Sequence, residues 1–286
     1  MVNDHQLSER HACNLVGLSR DSYRHPVVIS TLNQELLGQI VQTAHERRRW
    51  GYRMIHDALR PQYPGINHKR IYRLYRHEGL AIRKRKKTKR VGVRVPLVAA
   101  SAINQTWSMD FVSDAIARPG AIARRIKCLT VADDFSHECV DITADFGIGG
   151  DYVTRLLDRA AQFRGYPKAV RTDNGPEFIS RAFMTWAQKH GIQHLLIQPG
   201  SPTQNAYIES FNGTFRDECL NENWFESLDQ ARQAIHQWRK DYNEIRPHSS
   251  IGGIPPAQFA ALNRQLTVSV RPTHLDTMPE SMQISE

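Results

Sequence analysis

The chain has 286 residues, and its 40% hydrophobic and 23% charged fractions are typical of a soluble globular protein. At roughly 100–200 residues per domain, this length predicts two or three domains. No apolar run is long enough to span a bilayer, and residues 1–10 carry an acid and lack the apolar core of a secretory signal. We therefore expect a cytoplasmic protein without a membrane partner.

The cysteines and the net charge narrow the class further. Cys13, Cys128, Cys139 and Cys219 show no CxxC pairing, which argues against a disulfide framework and a structural zinc site. The net charge is +9, and residues 83–94 alone contain eight positive charges and no acid. Such a local cluster favours a polyanionic partner, and the alternative is a solvated charged linker.

The N-terminal third has helical patterns. Residues 7–24 predict two short helices around Gly17, capped by Ser8 and Ser19, in an arrangement like a helix-turn-helix. Four apolar residues there are expected to face inward: Ala12, Leu15, Val16 and Leu18. Residues 31–49 predict one amphipathic helix whose apolar stripe contains Leu32, Leu36, Ile40 and Ala44.

Residues 51–80 predict a second helical pair, in which Asn67 caps the last helix and Gly79 ends it. The first helix should bury Tyr52, Ile55 and Leu59, and the second should expose four cations: Lys69, Arg70, Arg73 and Arg76. So basic a helix suits DNA phosphates, although a solvated Arg-rich face is the alternative. The basic segment that follows extends this candidate DNA surface through Arg83, Lys84, Arg85, Lys86, Lys87, Lys89 and Arg90.

After Pro96 the pattern becomes mixed α/β. Strands are predicted at 106–113, 126–136, 137–146, 168–173 and 192–198, and helices at 150–163, 176–190 and 201–220. A further helix near 227–250 should pack through Leu228, Ala231, Ile235, Trp238 and Tyr242. The order of these elements is that of an RNase H-like core, a mixed five-stranded sheet flanked by helices. The tail from about 264 is expected to be extended or mobile.

Three carboxylates stand out in this region. Asp110 lies in the middle of the first strand, where an unpaired buried carboxylate would be costly. Asp173 ends the fourth strand, and Glu209, separated from it by 35 residues, lies beside a buried helical stripe. If the first and fourth strands are neighbours, the three carboxylates meet, repel one another and suit divalent cations such as Mg²⁺. The alternative for Asp173 is ordinary turn chemistry, because Asp-Asn-Gly-Pro is a common turn sequence.

The other polar residues of this region are predicted to have structural roles. Asp133, Asp134, Glu138 and Asp141 cluster near a strand connection and are interpreted as turn or surface groups. Glu177 is placed in the first turn of a helix, where it favours the helix dipole. His194 is expected to pack or to form hydrogen bonds rather than to catalyse.

These residues carry a family resemblance. Asp110 in "WSMDF", Asp173 in "TDNGPEF" and Glu209 in "PTQNAYIESFNGTFRDE" resemble the DDE triad of retroviral-integrase-like transposases. Together with "WGYRMIH", "NHKRIYRLYRHEGL" and "DYNEIRPHSSIGGIPPAQF", the match resembles OrfB-type transposases of the insertion-sequence IS-three family over about residues 7–260.

The resemblance implies a DNA-recombining enzyme with two Mg²⁺ ions, for which Mn²⁺ can substitute. Arg216, seven positions after Glu209, fits a basic residue of the family that faces the DNA backbone. Asn174 and Gly175 are assigned to the loop that carries Asp173, and Gln204 and Asn205 to contacts with substrate DNA. The expected partners are terminal inverted repeats, target DNA, further copies of this chain on DNA, and the product of an upstream frame, separate or fused. The protein would then be nucleoid-associated in a bacterium when bound to DNA.

The expected organisation is a helix-turn-helix-like segment at 1–30, a helical DNA-binding region at 31–82, a basic linker at 83–100, a catalytic core at 101–262 and a tail at 263–286. The residues leave two alternatives open. One is a catalytically silent DNA-binding regulator or partner subunit, and the other is a nuclease without strand transfer. Metal-dependent cleavage of element ends distinguishes the first, and joining of a 3′-hydroxyl end to target DNA distinguishes the second.

Overall fold

The structure, a computed structural model, describes residues 6–25, 31–82, 99–117, 119–120, 122–197 and 205–269, the last five by their backbone alone. The described residues divide into two compact units. The first draws on 1–55 and 66–82, and the second on 56–65 and 83–286. No helix in the described ranges is long and apolar enough to cross a membrane.

The first unit is helical. Its helices are α1 (Glu9–Leu15), α2 (Arg20–Arg24), α3 (Thr31–Glu46), α4 (Tyr52–Leu59), which continues into the second unit, and α5 (His68–His77). The predicted caps are confirmed, because Ser8, Ser19 and Asn67 accept hydrogen bonds from backbone N–H groups at the starts of α1, α2 and α5. Gly79, at φ +67°, ends α5 as expected.

The buried face at the N-terminus differs from the prediction. Ala12 is buried, but Leu15, Val16 and Leu18 are about half exposed. Leu15 is the last residue of α1, and Val16 and Leu18 flank Gly17 in the turn that follows, so the three do not continue the inner face of a helix. In α3, Leu36 and Ile40 are fully buried as predicted, whereas Leu32, the second residue of the helix, is 41% exposed.

The second unit contains one five-stranded sheet. Its strands are β1 (Thr106–Ile116), β2 (Arg124–Asp133), β3 (Cys139–Asp145), β4 (Ala169–Thr172) and β5 (Gln193–Leu196), in the order β3-β2-β1-β4-β5. Strands β1, β2 and β3 pair antiparallel, and β4 pairs in parallel with both β1 and β5. The mixed sheet was predicted, and the adjacency of the first and fourth strands fulfils the condition under which the three carboxylates were expected to meet.

Helices cover both faces of the sheet. The remaining helices are α6 (Gly150–Arg164), α7 (Arg181–Lys189), α8 (Ala206–Glu218), α9 (Leu228–Glu244) and α10 (Pro256–Ser269). Alternate side chains of each strand point to opposite faces, so Val112 packs with α8 and α9 while Met109 packs with α6 and α7. The second unit is therefore a three-layer α/β/α core of the RNase H-like type. Across both units, the four cysteines are buried and form no disulfide.

Helix α7 begins five residues later than the sequence predicts. Ser180 accepts a hydrogen bond from the backbone N–H of Phe183 and caps α7, so residues 176–180 form turns. Pro176 does not open the helix, and Glu177 is not in its first turn. Glu177 instead forms an ion pair with Lys127 on β2.

Helix α10 occupies residues that were assigned to the tail. It begins at Pro256 and continues to Ser269, beyond the predicted start of the tail at 263. Proline is favoured in the first turn of a helix, and alanine, leucine and glutamine favour its interior, so the local sequence supports this helix. Residues 270–286 lie outside the described residues.

Candidate active site

The parallel pairing of β1 and β4 brings two of the three carboxylates to the same level of the sheet. Ser108 on β1 is in register with Arg171 on β4. Asp110 lies two residues beyond Ser108, and Asp173 lies two residues beyond Arg171, immediately after β4 ends. The sheet thus places the two aspartates at the same level, Asp110 on β1 and Asp173 just beyond the end of the adjacent parallel strand β4.

Asp110 is held by hydrogen bonds to both carboxylate oxygens. Its Oδ1 accepts from the backbone N–H of Phe111 at 2.7 Å, and its Oδ2 accepts from Nδ2 of Asn212 at 2.9 Å. The pKa of Asp110 is raised to about 6, chiefly by burial and in smaller part by the charges of Asp173 and Glu209, while the two hydrogen bonds oppose the rise. The three acids therefore lie close enough to interact electrostatically.

Asp173 is both an exposed carboxylate and part of a turn. Its Oδ1 accepts a hydrogen bond from the backbone N–H of Gly175 at 2.9 Å, as in an Asx turn. Asn174 donates from Nδ2 to the carbonyl oxygen of Ile197, 3.2 Å away, just after β5. These two residues shape the loop as predicted, and the turn leaves the carboxylate accessible.

Helix α8 carries Glu209 in its first turn. Ile208, Phe211 and Phe215 are buried against the sheet, and Glu209 is exposed. Asn212 lies one turn after Glu209 and reaches the sheet, where its Oδ1 accepts from the hydroxyl of Thr130 at 2.8 Å. Asn212 thus binds β1 and β2 together with α8.

Asn212 is a residue that the sequence patterns did not single out. Its spacing of three from Glu209 was the available signal, because residues three apart share a helix face. Within the part of the chain that the structure describes, no three His, Cys, Asp or Glu side chains lie close enough together to hold one metal ion. The structure thus brings the acids to one region without closing them on one ion position.

The predicted DNA-contacting residues of the second unit have different surroundings. Arg216 is exposed on α8, and its Nη2 donates to the carbonyl oxygen of Ser113 on β1 at 2.8 Å. Asn205, at the start of α8, is only 8% exposed, so little of its side chain is open to DNA in this conformation. Gln204 lies outside the described residues.

The basic helix α5 separates into outward and inward cations. Lys69, Arg73 and Arg76 are exposed, and Tyr72, at 40% exposure, lies beneath the guanidinium of Arg76. Arg70 is partly buried, and its Nε donates to Oδ1 of Asn33 on α3 at 2.8 Å. Seven further predicted contacts lie outside the described residues: Arg83, Lys84, Arg85, Lys86, Lys87, Lys89 and Arg90.

Four acids that were interpreted as turn or surface groups are not on the surface. Asp133 is fully buried and does serve a turn, because its Oδ1 accepts from the backbone N–H of Ser136 at 2.7 Å. The other three pair with arginines distant in sequence: Asp134 with Arg171, Glu138 with Arg164, and Asp141 with Arg159 and Arg239. Burial of these carboxylates is compensated by these partners.

His194 has the structural role that was predicted. Its Nε2 lies 2.8 Å from the hydroxyl of Thr172, and its ring packs edge-on against Phe183. Burial lowers its pKa, so the ring is neutral near pH 7.

Family models match most of the chain. Two models described as integrase core domain match residues 100–202 and 190–256, and one described as HTH-like domain matches residues 31–88. The integrase core assigns the chain to the polynucleotidyl transferases in general, and the HTH-like domain indicates DNA binding.

Several proteins of bacterial insertion elements are similar along most of the chain. The IS476 uncharacterized 39.2 kDa protein of Xanthomonas euvesicatoria is 64% identical over 91% of this chain and 75% of its own length. The IS407 uncharacterized 31.7 kDa protein of Burkholderia multivorans is 56% identical over 90% of this chain and 92% of its own length. The putative transposase InsK for IS150 of Escherichia coli is 25% identical over 77% of this chain and 81% of its own length. With an HTH-like domain, an integrase core and these relatives, the chain belongs to the IS-three family of bacterial insertion-sequence transposases.

Proposed function

We propose that this transposase is a DDE-type enzyme in which Asp110, Asp173 and Glu209 bind Mg²⁺ and direct phosphoryl transfer at the ends of its own mobile element. The observation that carries the proposal is the register of β1 and β4, which sets Asp110 and Asp173 level, with α8 packed across the same sheet. The raised pKa of Asp110 supports it, because two further carboxylates contribute to the rise.

The donor chemistry fits Mg²⁺. Carboxylate oxygens are hard ligands, and Mg²⁺ is bound by a few carboxylates together with water and substrate phosphates. Asp110 uses one acceptor position on each oxygen for Phe111 and Asn212, and a carboxylate offers about four such positions. Two bound ions would activate an attacking oxygen and stabilise the leaving oxygen in an in-line displacement, and Mn²⁺ is expected to substitute for them.

The protein's own groups would hold and orient the substrates. The three carboxylates of Asp110, Asp173 and Glu209 would hold the cations that neutralise the charge of the reacting phosphate. The guanidinium of Arg216 carries five N–H donors. One of them binds the carbonyl oxygen of Ser113, and the remaining donors could bind a DNA phosphate. The exposed cations of α5 would bind the terminal repeat.

The expected sequence of reactions needs no covalent link between protein and DNA. Water attacks a phosphodiester at an element end and releases a 3′-hydroxyl, which then attacks a second phosphodiester in a direct displacement. Each step breaks one P–O bond and forms another.

Substitution of the carboxylates tests this function. Asp173→Asn and Glu209→Gln should each abolish nicking and strand transfer on end-containing DNA, with Mg²⁺ or Mn²⁺. Asp151→Asn is a matched control, because Asp151 is an exposed acid in the first turn of α6. Full activity in either triad variant would refute the assignment, and nicking without joining in the wild-type protein would identify a nuclease.

The assembly on DNA is a further part of the proposal. We expect several copies of the chain to bring two element ends together, and an upstream-frame product to strengthen recognition of the ends. Light scattering of the protein on end DNA, with and without that product, measures the number of copies and the added affinity. A single copy on paired ends that nonetheless joins them would contradict the oligomeric arrangement.

A further inference from the structure

We propose that Lys127 and Glu177 form a clamp that positions the Asp173 loop, residues 173–178 after β4, against β1, where Asp110 lies. Both are positioning residues, because neither is one of the proposed metal-binding carboxylates. The inference rests on the proposed role of Asp173, and it concerns an ion pair whose members are 50 residues apart in sequence.

The clamp closes around the residue that follows Asp110. Phe111 points to the face of the sheet opposite to Asp110, and Nζ of Lys127 lies 4.5 Å from its ring centroid. Phe178, at the end of the Asp173 loop, stacks on the same ring with centroids 5.3 Å apart. Lys127 also forms the ion pair with Glu177, so the ring of Phe111 lies between two contacts that both lead to the loop.

The loop needs such anchors because its internal bonds do not fix its position. The Asx turn at Asp173 and Gly175 sets the local shape of the loop, but both bonded groups belong to the loop itself. Phe178 is fully buried and fixes the far end of the loop in the core. Asn174 ties the start of the loop to Ile197 after β5, and Glu177 adds an attachment to β2 one residue before Phe178.

The ion pair also sets a cation against a carboxylate that approaches Asp173. A Cβ built on Gly175 would lie 2.9 Å from Oδ1 of Asp173 and 3.3 Å from Oε2 of Glu177, so both carboxylates approach the same point. Without Lys127, the charge of Glu177 would face Asp173 uncompensated. The side chains of Lys127 and Glu177 are 31% and 15% exposed, which is too buried for a freely solvated surface pair.

The first measurement uses Mg²⁺ dependence. Lys127→Met and Glu177→Gln should each raise the Mg²⁺ concentration for half-maximal nicking about tenfold, the scale typical of residues that orient metal ligands. The rate at saturating Mg²⁺ should stay within about twofold of wild type, since the reacting groups themselves are unchanged. The double variant should need no more Mg²⁺ for half-maximal nicking than either single variant, because both single substitutions remove the same ion pair.

The second measurement does not depend on activity. Mg²⁺ alone is titrated into the full DNA-free chain, and the rise of the thermal midpoint is followed; the rise should need about tenfold more Mg²⁺ in both variants. Arg159→Met is the matched control, because it removes an ion pair with Asp141 on β3 and should leave the Mg²⁺ dependence unchanged. The swap of Lys127→Glu with Glu177→Lys should recover part of the wild-type Mg²⁺ affinity.

The outcomes separate this inference from the proposed function. If Asp173→Asn is inactive while the clamp variants match Arg159→Met in Mg²⁺ dependence, the clamp is only a structural contact and the inference fails alone. If Asp173→Asn keeps full activity, the proposed function fails first. Should Lys127→Met not fold, the near-isosteric Glu177→Gln decides by the same criterion.

Discussion

Asn212 donates a hydrogen bond of 2.9 Å to Oδ2 of Asp110 and thereby joins α8 to the central strand. Its Oδ1 simultaneously accepts from Thr130 on β2, so one amide links three elements. Glu209 lies one turn earlier on the same helix, and its position relative to Asp110 depends on how α8 is docked. Asn212 thus links Asp110 to the helix that carries Glu209.

Asn212→Leu tests this connection. The substitution removes a hydrogen bond that lowers the pKa of Asp110 and leaves the hydroxyl of Thr130 without this acceptor. We expect nicking to fall about tenfold or more, and stability to fall by about 1–2 kcal/mol. Asn221→Leu is the control. Asn221 is exposed, lies beyond the end of α8, and donates a hydrogen bond to Asp217 in the last turn of that helix. Wild-type nicking in Asn212→Leu would contradict the assigned role.

Gly175 offers a test of how closely Asp173 must be placed. A Cβ there would lie 2.9 Å from Oδ1 of Asp173, which is the end of a flexible side chain, and the backbone at Gly175 does not require positive φ. Gly175→Ala should therefore fold normally while displacing the carboxylate. We expect nicking to fall by at least about tenfold, because misplacement of about 1 Å can cost 10²-fold in rate.

The matched control for that change is Gly147→Ala. A Cβ at Gly147 meets nothing within 4 Å, and its φ is also not positive. Its thermal midpoint and nicking rate should equal those of the wild type. Equal nicking rates in the two alanine variants would show that Asp173 tolerates the displacement.

The raised pKa of Asp110 predicts a pH dependence of Mg²⁺ binding. Above pH 6 the carboxylate of the metal-free protein is ionised, whereas below that pH its proton must leave before an ion can bind. The apparent Mg²⁺ affinity of the DNA-free chain should be nearly constant from pH 7 to 8 and should fall about tenfold per unit well below pH 6 if one proton is released. Calorimetric titration in buffers of differing ionisation enthalpy measures that proton release. An affinity that stays constant down to pH 5 would contradict the assignment of Asp110 as a ligand.

The features that the sequence predicted depend on local signals. Ser8, Ser19 and Asn67 cap helices because a cap needs only its own first turn. Periodicity predicted the order of strands and helices along the chain. The approach of Asp110 to Asp173 was expected only on the condition that the first and fourth strands are neighbours, as they are in an RNase H-like sheet.

The features that it did not predict depend on partners far along the chain. The local sequence around Glu138 and Asp134 gives no sign that these acids are buried, because the arginines that pair with them lie 26 and 37 residues away. Glu177 was placed on a helix because a proline precedes it, although Ser180 is the true cap. Its pairing with Lys127 becomes visible only when the loop after β4 is seen folded against β2.

The two arginines Arg70 and Arg73 provide the last prediction, because they lie three residues apart on α5 with different surroundings. Arg73 is exposed, whereas the Nε of Arg70 binds Asn33 on α3. Arg73→Ala should weaken binding to end DNA and reduce the slope of log affinity against log salt by about 1, as loss of a phosphate contact does. Its thermal midpoint should remain that of the wild type.

Arg70→Ala should show the opposite pattern. Loss of the bond between α5 and α3 should lower stability by about 1 kcal/mol, which is the typical net contribution of such a hydrogen bond. The salt slope should change little, because the guanidinium of Arg70 is engaged within the protein. Fluorescence anisotropy with end DNA at several salt concentrations and thermal denaturation measure both quantities. If Arg70→Ala reduced the salt slope as strongly as Arg73→Ala, both cations would contact phosphate, and the division of α5 into outward and inward cations would be wrong.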